Sequence, residues 1–156
     1  MLHSARPALA VASPQTLVVT GNYASVLILK AIGIWGVILV CAVLNGAVRE
    51  AVLIPKLGNP VALALSGLLL SACILVLSFV LVPKLGRLQS RHCLYLGLFW
   101  LCLTLGFEFS FGRLLQHRSW SELLDAYTFK NGNLWRVVLG VTFIAPLVAV
   151  RLRGKT

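Results

Sequence analysis

Four apolar stretches, about 17 to 31 residues long and nearly free of charge, fill most of this 156-residue chain and leave few architectures open to it. A helix needs roughly 20 such residues to cross about 30 Å of hydrocarbon, where every backbone N–H and C=O must be satisfied within the segment. The stretches fall at about 24–54, 61–82, 93–112 and 134–150. The expected fold is all-α, an integral membrane bundle of four transmembrane helices. Composition agrees: 59% hydrophobic against 12% charged residues, with mean hydropathy +0.93, lies outside the range of ordinary soluble domains. No separate soluble domain fits, so residues 23–156 read as a single membrane domain.

Residues 1–22 hold Pro7, Pro14, Gly21 and Asn22 around a short apolar patch and read as a loosely ordered extension. In the first span Lys30 lies close enough to the end to snorkel into the interface. No proline intervenes between Asn45 and Ile54, so the helix should run on until Pro55 ends it, with Asn45, Arg49 and Glu50 on its last turns. The second span is uncharged, and Gly67 with Ser71 has the small-xxx-small spacing that lets helix backbones approach, so it reads as the main packing helix. Both spans end in the same tetrapeptide, Pro55-Lys-Leu-Gly58 and Pro83-Lys-Leu-Gly86, a shared stop signal.

The third span is rich in aromatics, and within it Trp100, Thr104 and Glu108 recur every four residues on one helix face. After it, Ser119 and Glu122 have capping-box spacing ahead of the apolar stripe Trp120, Leu123, Leu124 and Tyr127. That pattern predicts a short interfacial amphipathic helix at about 120–128, between the third and fourth spans. His117, Trp120, Tyr127 and Trp135 are the expected interfacial residues, and Pro146 should kink the fourth span.

The formal net charge of +10 would suggest nucleic acid in a soluble protein, but most of the basic residues here flank the spans. Membrane lipids are the expected partners, and nucleic acid is not. Four spans put Arg6, Lys84, Arg87, Arg91, Arg151, Arg153 and Lys155 on one side and Arg49, Lys56, Arg113, Arg118, Lys130 and Arg136 on the other. The short basic 83–92 loop and the basic tail favour a cytoplasmic location for both termini. Cys41, Cys73, Cys93 and Cys102 form no Cys-x-x-Cys pair and stand near no His at metal spacing, so they read as buried free thiols. No metal or cofactor is expected.

All four acids, Glu50, Glu108, Glu122 and Asp125, fall toward the non-cytoplasmic face. A carboxylate in hydrocarbon is costly unless compensated, which makes Arg49 and Glu108 candidates for an interhelical ion pair with Asn45 as a hydrogen-bonding partner. Such a pair would fix the bundle's register. The functional alternative is that Glu108 binds a proton, a cation or a lipid headgroup. Glu50 would turn to Arg113 or Arg136, and the resulting polar corner comprises Asn45, Arg49, Glu50, Glu108 and Arg136. Ser66, Ser71 and Ser78 lack a nucleophile-elbow context, so a serine hydrolase has almost no support.

The run Asn45-Gly-Ala-Val-Arg-Glu50 with Pro55 and Gly58, Phe107-Glu-Phe-Ser-Phe-Gly112, Ser119-Trp120, Leu123-Leu124, Tyr127 and Trp135 resembles a family of small bacterial four-helix inner-membrane proteins over about residues 25–153. The resemblance implies a bacterial inner-membrane location and transfers no activity. The function expected from the residues is that of an accessory or assembly subunit of a larger membrane complex, or a small homo-oligomer. One alternative is an oligomeric transporter or channel with Glu108 as its ion- or proton-responsive group. Another is a lipid-modifying enzyme with Glu108 or His117 as acid or base, although the balance is against an enzyme.

Overall fold

The computed structural model describes residues 14–86, 88–114 and 133–154. Helix α1 (Pro14–Val48) passes through a π-helical turn (Arg49–Leu53) into the short α2 (Ile54–Leu57). Helix α3 (Asn59–Leu81) ends in a 3-10 turn (Val82–Leu85), and α4 (Ser90–Leu114) and α5 (Trp135–Arg153) complete the bundle. Among the described residues four helices are long and apolar enough to cross a membrane: Tyr23–Leu57, Asn59–Leu85, Ser90–Arg113 and Trp135–Arg153. The amphipathic helix expected at 120–128 lies outside the described residues, as do His117, Trp120 and Tyr127. Helix α1 begins at Pro14, within the stretch expected to be a loose extension, and residues 1–13 are outside the description.

Pro55 does not end the first helix. The π turn closes with the Ile54 N–H donating to the carbonyl of Arg49, and Pro55 then sits in the first turn of α2, where a missing N–H costs little. Termination falls to Gly58, whose φ of 77° and ψ of 163° lie in a region that essentially only glycine occupies. The second Pro-Lys-Leu-Gly copy behaves alike: Pro83 and Lys84 continue as a 3-10 turn, and Gly86 at φ 105° reverses the chain. The shared tetrapeptide is a helix-extending turn followed by a glycine stop.

Helix proximity gives the packing order. Helix α5 lies between α3 and α4, while α1 packs on α3 and touches α4 more lightly. Small residues make this possible. On α3, Ala62, Ser66, Leu70, Ile74 and Ser78 recur every four residues and are buried, and α5 answers with Val138, Thr142, Ala145 and Ala149. The tightest approach is between α4 and α5, where a Cβ on Gly97 would collide with the Phe143 carbonyl oxygen. At Gly67 an added Cβ would stand 2.9 Å from Cβ of Leu134, just before α5. The second span therefore shares the packing role with the fourth. Trp100, Ile74, Val82 and Ala145 lie in the core, and Pro146 is buried within an uninterrupted α5.

Only 11% to 33% of the residues in the most apolar window of each helix are buried. The outward faces carry Leu29, Val40, Leu68, Val76, Leu98 and Leu152, all exposed in the isolated chain. Of the four free cysteines only Cys93 is buried. Cys73 and Cys102 sit on those outward faces, contrary to the expectation of buried thiols.

Candidate functional site

Two of the polar residues expected to form a corner reach across helices, each to a partner that hydropathy alone does not reveal. Asn45 leaves α1 toward α3, and its Nδ2 donates to Ser66 Oγ at 2.7 Å and to the Ser66 carbonyl at 3.2 Å. Glu108 leaves α4 toward α5, and its Oε2 accepts the indole N–H of Trp135 at 2.8 Å. Asn133 holds that tryptophan in place, because its Oδ1 accepts the Trp135 backbone N–H at 2.9 Å and caps one of the orphan donors of the helix start.

Arg49 is paired with Glu50. Its Nε and Nη2 both donate to Glu50 Oε1, at 3.2 and 2.9 Å, with 31% and 64% of the two side chains exposed. The expected ion pair of Arg49 with Glu108 is replaced by this local one, and helix register explains why. Trp100 Nε1 donates to the Ala31 carbonyl at 3.0 Å, and Trp35 Nε1 donates to Thr104 Oγ1 at 3.1 Å, so both bonds join residues 69 apart. The helices α1 and α4 therefore run parallel with Glu108 roughly level with Leu39. Arg49 lies ten residues further along α1, about 15 Å along the helix axis from the level of Glu108. Glu50 was expected to turn to Arg113 or Arg136, but its carboxylate takes both bonds from Arg49, whose long side chain bridges the angle between neighbouring helix positions.

The two tryptophan bonds form a ladder one turn apart, with each helix donating once. Thr104 passes its own hydroxyl proton to the Trp100 carbonyl at 2.8 Å. Below them Trp35 meets the edge of Phe107 at 6.5 Å between ring centroids, and Phe107 stacks on Phe111 at 5.4 Å. The face shared by Trp100, Thr104 and Glu108 is thus real, but its members turn to different neighbours: the first two to α1, the third to α5. Arg136 is exposed on the first turn of α5. Ser66, Trp35 and Asn133 were not among the residues that the sequence pointed to for the polar corner.

Chemically, the described polar groups act as cross-links. In a bundle without water each such bond is worth about 0.6 kcal/mol on average and up to roughly 1.7. Two cavities lie at the other end, flanking α1. One of about 300 Å³ is lined by Leu27, Ala31, Leu88, His92, Tyr95 and Phe99, and one of about 340 Å³ lies between α1 and the 3-10 turn. Neither is lined by an acid or a cysteine. Among the described residues no group of three His, Cys, Asp or Glu side chains could hold a metal ion.

No family model matches the chain, and neither a curated protein nor a solved structure shows significant similarity to it.

Proposed function

We propose that this protein is a multi-pass membrane subunit of the bacterial inner membrane that works by lateral assembly, docking against a larger membrane protein or against further copies of itself, with both termini cytoplasmic. Four apolar helices and their outward apolar faces support insertion. The basic residues around the second connection and the chain's end support the orientation.

The observation that carries the assembly reading is a set of helical glycines that packing among the described residues does not require. At Gly36, Gly46, Gly106 and Gly140 an added Cβ would meet nothing within 4 Å. A glycine inside a helix costs about 1 kcal/mol relative to alanine, so four unpacked ones are a standing expense unless another helix lies close against them. Trp35, Asn45, Trp100 and Glu108 each bond across to another helix of this bundle, which fits a scaffold better than a reaction centre.

The test is the native complex extracted in a mild detergent and weighed by native mass spectrometry. A stoichiometric partner, or a defined homo-oligomer, is expected. A monomer carrying only lipid would overturn the assembly reading.

A further inference from the structure

We propose that the groove between α1 and the end of α3 binds one acyl chain of an anionic phospholipid, with Lys30 and Lys84 holding its phosphate. The inference rests on the membrane embedding proposed above and adds to it a ligand and a site.

The groove encloses about 340 Å³ and is walled by Lys30, Gly33, Val37, Leu81, Lys84 and Leu85. That volume is at the low end of the range for small-molecule sites, about 300–1,000 Å³. Its residues are ordered as an amphiphile is ordered. Asn45 bonds Ser66, and Lys30 lines the same groove as Leu81 and Lys84, so α1 and α3 run antiparallel, with Leu81 about level with Lys30 and Lys84 about one turn nearer the end of the bundle. Two ammonium groups therefore stand at one end of the groove. From Lys30 to Val37 about 10 Å of apolar wall leads away from them.

Charge selects the headgroup. Glu50 and Glu108, the acids among the described residues, lie toward the opposite end of the bundle, so no described carboxylate offsets the repulsion between the two lysines that line the groove. A phosphodiester carrying a net negative charge relieves that repulsion, whereas a zwitterionic headgroup brings its own cation to the same place. The floor selects the chain. Gly33 sits in the groove, and an added Cβ there would meet nothing within 4 Å, so packing among the described residues does not account for the missing side chain. A glycine at this position leaves a smooth trough that a polymethylene chain can follow.

Delipidated full-length protein in mild detergent, titrated with phosphatidylglycerol and separately with phosphatidylcholine of equal chain length, tests the proposal by native mass spectrometry. One phosphatidylglycerol per chain should be retained, about tenfold or more tightly than phosphatidylcholine. The double variant Lys30→Gln, Lys84→Gln should remove the difference. Gly33→Leu should displace both lipids while leaving the melting temperature equal or higher, because the site is open and leucine is the better helix former. Equal retention of the two lipids by the wild-type protein would overturn the proposal, as would a preference that survives both variants. If Gly33→Leu instead breaks up an oligomer and leaves lipid retention unchanged, the groove holds a protein segment and the proposal is wrong. Alkaline carbonate extraction of wild-type membranes separates the two levels: release of the protein contradicts the embedding itself, whereas retention without lipid preference overturns the lipid site alone.

Discussion

The indole N–H of Trp135 donates to Oε2 of Glu108 across 2.8 Å, which ties the carboxylate of α4 to the first turn of α5 and not to Arg49 on α1. A neutral amide can accept the same bond. Glu108→Gln should therefore be mild, losing about 1 kcal/mol of charge assistance, while Glu108→Ala should cost about 1.5–3 kcal/mol because the indole is left without this acceptor. Thermal unfolding in detergent of the two variants beside Trp135→Phe checks the order. Equal losses for Gln and Ala would show that the hydrogen bond is not what matters at this position.

Arg49 and Glu50 form a half-exposed local pair, and such pairs contribute about 0–1 kcal/mol. Arg49→Gln should accordingly shift stability by less than about 1 kcal/mol. A loss of about 3–5 kcal/mol, the signature of a broken buried ion pair, would restore the cross-helix pairing with Glu108.

Asn45 and Ser66 join α1 to α3 through a 2.7 Å side-chain bond. A double-mutant cycle with Asn45→Ala and Ser66→Ala should give a coupling energy of about 0.6–1.7 kcal/mol, the range for hydrogen bonds between membrane helices. Strictly additive losses would mean that the bond forms without stabilising the bundle.

Glycines should divide into two classes. Gly97→Val drives a side chain into the Phe143 backbone and should destabilise the bundle by at least about 1–3 kcal/mol, as overpacking does. Gly58→Ala and Gly86→Ala force a side chain into a glycine-only region and should each cost about 1–3 kcal/mol. By contrast Gly106→Ala and Gly140→Ala should leave the isolated chain as stable or slightly more so. Melting temperatures of the set in one detergent check this division.

Helix number and approximate limits were legible because an apolar run of twenty residues has few other uses. Asn45 was legible as a residue that needs a partner, but Ser66 was not, since the partner depends on how α1 and α3 slide past one another. The same sliding defeated the pairing of Arg49 with Glu108: their positions within the spans suggested equal depth, while the tryptophan ladder sets a register that separates them. Trp135 was read as an interfacial anchor because tryptophan near a span end usually is one, and its N–H was not counted as a donor. A signal for the tightest crossing was present and missed. Cys93-Leu-Tyr-Leu-Gly97 has the small-xxx-small spacing already recognised in Gly67 and Ser71.

Lateral assembly is proposed to run through the faces that carry the open helical glycines. Cysteine-scanning cross-linking in native membranes addresses it most directly, with single cysteines at Gly36, Gly46, Gly106 and Gly140 in a chain whose four native cysteines are replaced by serine or alanine. Protein adducts of defined mass are expected from at least one of these positions, and none from an outward site such as Leu29 used as a control. Adducts from none of the four, in a protein that is inserted and folded, would contradict it.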